Sequence, residues 1–127
     1  KIQGVLDWEL CTLGDPLADV GYLLNARVQP GEVDTRQGDQ APTAVGGFGD
    51  REALAARYAE KTGRDLSSIA YYRAFSHWRL AAIGEGVYKR YRLGAMGSRE
   101  DLDLSEFADS VVRRAKAALE LLEGGQG

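Results

Sequence analysis

The chain has 127 residues, the size of one domain, of which 44% are hydrophobic and 28% are charged. It carries 16 basic against 19 acidic residues and a formal net charge of −3, so composition gives no support to a nucleic-acid partner. One cysteine, Cys11, excludes an internal disulfide and a cysteine-based metal cluster. Without a membrane-spanning run or a signal-peptide pattern, and with one thiol, the chain is expected to be cytoplasmic.

The chain opens on an apolar run that predicts a short strand over residues 1–7. An acidic pair, Asp7 and Glu9, follows this run on either side of Trp8. A carboxylate at the end of a buried strand is costly unless it is paired or binds a cation. The opening therefore indicates part of an active site, and we expect the chain to be a piece of a larger protein.

A helix is predicted over residues 15–28. Asp15 can cap its free backbone N–H groups, and Pro16 at the first helical position loses no hydrogen bond. Residues 29–49 contain several Gly and Pro residues and almost no periodicity. They are interpreted as a loop, and a loop of this length is typical of a lid, a binding loop or a disordered segment.

A helical subdomain is predicted over residues 50–123. Asp50 is the expected cap of a helix that stops at Gly63, and the longest helix runs from about 69 to 93. That helix is apolar most of the way round, which is typical of the centre of a helical domain. A last helix is predicted over about 103–123. Four helices and one short N-terminal strand or hairpin make the predicted fold class mainly α.

The opening motifs resemble a known family. The stretches VLDWE at 5–9 and LGDPLAD at 13–19 closely resemble the aminoglycoside phosphotransferase/choline kinase family, which has a kinase-like fold. More narrowly, they look like the branch of phosphotransferase domains related to acyl-CoA dehydrogenase fusion proteins. Stretches 49–63 and 75–81 add to the likeness. The resemblance implies that the chain is the C-terminal helical part of a protein-kinase-like large lobe.

The same resemblance implies roles for three acidic residues. Asp7 would hold Mg²⁺ against the β- and γ-phosphates of a nucleotide, and Mg²⁺ commonly takes one or two carboxylates plus phosphate oxygens. Glu9 would assist with the metal or the substrate, with a solvated turn residue as the alternative. Asp19 would accept backbone N–H groups of the catalytic loop and support its shape, whereas for Asp15 the expected role is capping alone.

The family's His-x-Asp-x-x-x-x-Asn loop, which carries the catalytic base and a second metal ligand, does not occur in this sequence. The single histidine, His77, is followed by Trp78 and Arg79. No catalytic residue is therefore expected in this chain, and the chain alone is expected to be inactive. The parent enzyme would transfer the γ-phosphoryl group of ATP, or of GTP, to a hydroxyl of a small molecule. That acceptor could be an aminoglycoside, a choline-like amine, a sugar or a hydroxyacyl thioester.

Two further residues are candidates for the acceptor pocket. His77 and Trp78 lie on the long helix, where packing in the core or a groove is the alternative interpretation. The charged residues at 51–61 and 113–116 are interpreted as solvated faces. Neither a nucleic acid nor a membrane is expected as a partner. Strand edges and apolar surface left uncovered predict that the chain self-associates.

Two other classes of protein remain open. One is a non-catalytic helical interaction module, the fragment of a pseudokinase. The other is a free-standing four-helix protein in which Asp7 is structural. The sequence upstream of residue 1 in the parent separates these classes from the enzyme, because the enzyme requires the His-x-Asp-x-x-x-x-Asn loop.

Overall fold

A computed structural model describes residues 2–7, 11–36, 41–97 and 103–124. Within these ranges the chain forms four α-helices and one short 3₁₀ helix. The α-helices are α1 (Leu17–Ala26), α2 (Arg51–Thr62), α3 (Ile69–Arg92) and α4 (Leu104–Gly124), and the 3₁₀ helix is Pro42–Val45. The predicted mainly α fold class is confirmed.

Local chemistry sets the ends of the helices. The Asp50 side chain accepts a 2.6 Å hydrogen bond from the backbone N–H of Ala53 at the start of α2. The same helix stops at Gly63, which adopts the left-handed conformation (φ 68°) that glycine tolerates best. Asp103 begins α4 in a similar way, because its Oδ1 accepts from the backbone N–H groups of Ser105 and Glu106. Capping of this kind contributes about 1 kcal/mol per helix.

The longest helix, α3, packs against both α1 and α4. Small residues let the helices come close. A Cβ added to Gly21 of α1 would lie 2.7 Å from the carbonyl carbon of Tyr72 on α3. A Cβ added to Gly84 of α3 would lie 3.0 Å from Cγ2 of Val111 on α4. The α1–α3 contact therefore has no room for a side chain at position 21, because the neighbouring atoms are backbone.

Leucine, valine and alanine side chains form the buried core. Leu24 on α1 is only 2% exposed, which makes it the largest fully buried apolar side chain of the described residues. Val28 continues this face beyond α1 and packs with the buried Ala41 and Ala44. Aromatic rings extend the α3–α4 contact, where Tyr88 and Phe107 stack with centroids 6.4 Å apart.

The N-terminal strand is a wrong prediction. Residues 2–7 form no strand or helix, and their side chains are exposed, Leu6 by 84%. A strand requires the backbone N–H and C=O groups of a neighbouring strand. The described ranges contain no other strand that could supply them. The apolar run at residues 2–7 therefore does not form a strand here.

Among the described residues, no helix combines the length and the apolar character that crossing a membrane requires. The exposed and charged positions along α3 and α4 agree with that result.

Candidate functional site

Asp7 lies at the end of the exposed N-terminal segment. Its φ is +64°, the one positive φ of a residue other than glycine in the described part of the chain. Non-glycine residues adopt this left-handed conformation rarely, and such conformations concentrate at active sites and ligand clamps. Aspartate tolerates the conformation better than most residues. The backbone thus sets Asp7 apart at the position where the sequence predicts a metal ligand.

A second acidic residue, Asp15, lies just before α1 and links it to α3. Oδ1 of Asp15 accepts a 2.9 Å hydrogen bond from the backbone N–H of Leu17, the first residue of α1, although the N-cap position itself is Pro16. Oδ2 of Asp15 accepts a 2.6 Å hydrogen bond from the Tyr72 hydroxyl, 57 residues away on α3. The Tyr72 hydroxyl and the Leu17 N–H together lower the pKa of Asp15, with Tyr72 the larger cause. Asp15 therefore fixes the start of α1 against α3.

The remaining acids of the opening motif are placed differently. Asp19 lies in the first turn of α1 and is exposed. An acid in this turn interacts favourably with the helix dipole. Glu9 and Trp8 lie outside the described residues, so the role predicted for Glu9 stays a prediction.

A cavity of about 520 Å³ lies between α3, α4 and the segment that follows α1. This volume lies within the range of small-molecule sites. Charged residues from four parts of the chain line it: Glu32, Arg51, Arg73, Arg113, Lys116 and Glu120. The single histidine, His77, also lines it.

Two arginines of this cavity are tied to neighbouring segments. Arg51 forms a 2.6 Å ion pair with Glu32, and it donates hydrogen bonds to the backbone carbonyls of Leu24 and Arg27. The Arg51 hydrogen bond is the main reason that the pKa of Glu32 falls to about 2. Arg113 donates a 2.5 Å bond to Glu106 and a longer one to the carbonyl of Arg36.

These contacts correct the interpretation of residues 51–61 and 113–116 as solvated faces for three arginines only, because the other charged residues of the two stretches are exposed. Arg51 and Arg113 are both partly buried, as is Arg114, which donates hydrogen bonds to the carbonyls of Thr35 and Leu80. Arginine can bury its aliphatic stem while its guanidinium binds polar atoms. A helical charge pattern in sequence does not distinguish this arrangement from a solvated face.

His77 is buried, with only 7% of its surface exposed. Its Nδ1 is buried and has no hydrogen-bond partner. Burial and the nearby guanidinium groups of Arg73, Arg114 and Arg51 lower the pKa of His77 to about 4, with burial the largest cause. The imidazole is therefore neutral near pH 7.

Trp78 follows His77 on α3 but lines a different cavity. It is 60% exposed and borders a separate groove of about 330 Å³ between α3 and α4. The other lining residues of this groove are apolar: Tyr71, Ala74, Phe75, Ala115, Ala118, Leu119 and Leu122. The two pocket candidates therefore belong to two different surfaces of the helical unit.

Sequence reasoning did not single out Asn25 or Arg73, which join α1 to α3 beside the cavity. The Asn25 amide donates to the backbone carbonyl of Arg73 at 2.8 Å, and Arg73 Nε donates to Asn25 Oδ1 at 3.0 Å. The two residues are 48 positions apart, so no local signal in the sequence indicates that they pair.

The described residues contain no group of three or more His, Cys, Asp or Glu side chains that could hold a metal ion.

Comparison with known proteins identifies one matching family and several relatives. The family described as phosphotransferase enzyme family matches residues 1–72, a range that contains Asp7, Glu9 and Asp19. Mouse acyl-CoA dehydrogenase family member 10 is 36% identical over 118 residues, which is 91% of this chain and 11% of that relative. Human acyl-CoA dehydrogenase family member 11 is 34% identical over 124 residues, which is 95% of this chain and 15% of that relative.

The chain thus spans about one seventh or less of the length of these curated relatives. Their alignments cover more of the chain than the family match does, which ends before His77 and Trp78. No solved structure matches the chain. The resemblance to the branch related to acyl-CoA dehydrogenase fusion proteins is confirmed by these relatives.

Proposed function

This chain belongs to the phosphotransferase enzyme family, and we propose that it is the C-terminal helical part of a kinase-like large lobe in a longer protein. That protein transfers the γ-phosphoryl group of ATP to a hydroxyl group of a small molecule. The observation that carries the proposal is Asp7, an exposed aspartate held at φ +64° within the range that matches the family. Conformations of this kind concentrate at active sites and ligand clamps.

Asp7 fits a Mg²⁺ ligand by its chemistry. Carboxylate oxygens are the hard donors that Mg²⁺ prefers, and one or two of them suffice when phosphate oxygens complete the set. The Asp7 side chain is exposed at the end of the N-terminal segment. When bound, the metal neutralises charge on the phosphates. Glu9, two residues further on, is the proposed second acidic contact to the metal or the substrate.

Supporting roles fall to the start of α1. Asp19 is proposed to accept backbone N–H groups of the catalytic loop that the longer protein contributes. Asp15, fixed by Leu17 and Tyr72, holds the first turn of α1 in place relative to α3. Positioning of this kind is most of what an enzyme contributes to phosphoryl transfer.

The catalytic base and the nucleotide-binding lobe belong to other parts of the longer protein in this proposal. The 127-residue chain alone is therefore expected to show no phosphotransferase activity. The substrate hydroxyl and the nucleotide are partners of the complete enzyme.

The test is the substitution Asp7→Asn in the longer protein that contains this chain. It removes the charged metal ligand with almost no change in side-chain volume. Loss of one electrostatic partner of a transition state lowers kcat by about 10²–10³-fold, and we expect a decrease of that size in ATP-dependent phosphoryl transfer. The melting temperature should stay unchanged, because Asp7 is exposed.

Asp50→Asn is the matched control, because it also neutralises one aspartate. Asparagine caps helices as well as aspartate does, so the control should keep both activity and stability. Near-normal turnover of the Asp7→Asn protein at limiting Mg²⁺ would remove Asp7 from the metal site. Loss of activity in both variants would show that a general change in charge, and not this ligand, is responsible.

A further inference from the structure

The cavity lined by His77 contains more positive charge than its own ion pairs neutralise. Arg51 is matched by Glu32 at 2.6 Å, and Arg113 by Glu106 at 2.5 Å. Two further cations, Arg73 and Lys116, also line the cavity. Neither of them has an ion pair with the described residues.

Arg73 shows the imbalance most clearly. Its Nε binds the neutral amide of Asn25, and its guanidinium is partly buried between α1 and α4. Burial and the charge of Arg51 both lower the pKa of Arg73, and the charges of Glu32 and Glu52 only partly offset this effect. A partly desolvated guanidinium is stabilised by an oxyanion that can accept its paired N–H groups.

His77 supplies an independent observation in the same wall. Its buried Nδ1 has no hydrogen-bond partner, although its ring lines the cavity. Buried polar atoms of side chains are nearly always hydrogen-bonded, and a neutral imidazole offers one N–H donor and one acceptor nitrogen. An unpartnered histidine nitrogen beside unmatched cations indicates a site whose ligand is a small polar group.

We infer that this cavity binds an oxyanion, a phosphate or carboxylate group of a small molecule, through Arg73 and Lys116, with the His77 ring in the adjacent wall. Glu120 lines the same cavity and is exposed, so it leaves an excess of positive charge. The volume of about 520 Å³ admits a ligand larger than the anionic group itself. The inference goes beyond the proposed phosphoryl transfer and does not depend on it, because binding is measured without turnover.

The chain offers a direct probe, since His77 is its single histidine. The experiment titrates the isotope-labelled 127-residue chain with inorganic phosphate and, separately, with acetate, at constant ionic strength set by sodium chloride. Constant ionic strength removes non-specific screening effects. We expect a saturable change in the ring ¹⁵N signals of His77 with at least one anion. The responding anion then identifies the ligand class as phosphate or carboxylate.

Two variants locate the site. Lys116→Gln and Arg73→Gln should each weaken binding by about tenfold, since each removes a charge-assisted hydrogen bond. Lys89→Gln on α3 is the matched control, because Lys89 is exposed and does not line the cavity. It removes the same charge and should leave the affinity unchanged.

Lys116 is exposed on α4, so its variant keeps the fold even where Arg73→Gln, which loses the bond to Asn25, does not. The inference is overturned when neither anion moves the His77 signals at the highest concentration the ionic strength allows. It is equally overturned when Lys116→Gln and Lys89→Gln weaken binding to the same extent, because the anions then respond only to net charge.

Discussion

The N-terminal segment and the helical core differ in how far their residues are buried. Residues 2–7 are exposed and form no helix or strand, and Asp7 at their end has a backbone conformation that most residues avoid. In the core, Leu24 is 2% exposed and Gly21 of α1 touches the backbone of α3. The candidate metal ligand, Asp7, thus lies in a segment whose burial contributes little to the free energy of unfolding. The buried residues that stabilise the fold include no candidate metal ligand. Substitutions in the two regions should separate in the same way.

Leu24→Ala tests the core side of this comparison and should have the largest effect on stability. Deleting a fully buried leucine side chain costs about 2–5 kcal/mol, from lost transfer free energy and a residual cavity. Leu6→Ala is the matched control, since Leu6 is 84% exposed. It should change the free energy of unfolding by no more than about 0.5 kcal/mol. Urea denaturation measures both, and equal losses would contradict the contrast.

Gly21→Ala should have the next largest effect. We expect the free energy of unfolding to fall by about 1–3 kcal/mol, the usual cost of overpacking a core. The added Cβ would lie 2.7 Å from the Tyr72 carbonyl carbon, and that backbone cannot move aside as a flexible side chain would. Gly4→Ala is the control, because nothing lies within 4 Å of a Cβ at Gly4. A gain in stability for Gly21→Ala, as helix propensity alone predicts, would mean that α1 and α3 pack less closely.

Gly21 also shows what the sequence could and could not indicate. Caps and stops such as Asp50 and Gly63 depend on neighbouring residues, so the helices they bound were predictable. The need for glycine at position 21 comes from a contact 51 residues away, and no local pattern encodes it. The predicted strand over 1–7 failed for a similar reason, because pairing depends on a partner and not on the apolar run.

The candidate site residues also differ in whether a local sequence signal or a tertiary contact identifies them. Asp7, Glu9 and Asp19 could be proposed from the sequence because they belong to two short motifs near the N-terminus, within the range that the family match covers. Arg73 and Asn25 were missed, since their pairing is a tertiary contact between two helices. The burial of Arg51 was missed because its partners are backbone carbonyls of another segment.

His77 is buried in the helical core, and the free energy of unfolding should depend on pH through its titration. Its pKa in the folded chain is about 4, against an ordinary value of 6.5. The unfolded chain therefore binds the proton more readily, so this contribution to stability is complete above pH 6.5 and is lost as the pH falls towards 4. Between pH 7 and pH 5 we expect a loss of about 1–2 kcal/mol from this residue.

His77→Asn isolates that contribution, because the chain has no other histidine. The variant keeps a polar side chain and loses the titration. Carboxylates affect both proteins alike, and the pKa of Glu32, at about 2, leaves it charged throughout this window. Urea midpoints at pH 7 and pH 5 should fall further for the wild-type chain. Parallel declines in both proteins would place the His77 pKa near its ordinary value.

Tyr72→Phe should have the smallest effect on stability, and it examines how the start of α1 is connected to α3. The Tyr72 hydroxyl donates to Oδ2 of Asp15 and is the main cause of the lowered pKa of that carboxyl. Removing the hydroxyl keeps the ring and should raise the pKa of Asp15 towards its usual value, which the ¹³C shift of its carboxyl group reports during a pH titration. Tyr71→Phe is the control, because Asp15 accepts its hydrogen bond from the neighbouring Tyr72. An Asp15 pKa that is equally low in both variants would show that the Tyr72 hydroxyl is not the main cause of the lowered pKa, and that the Leu17 N–H sets it.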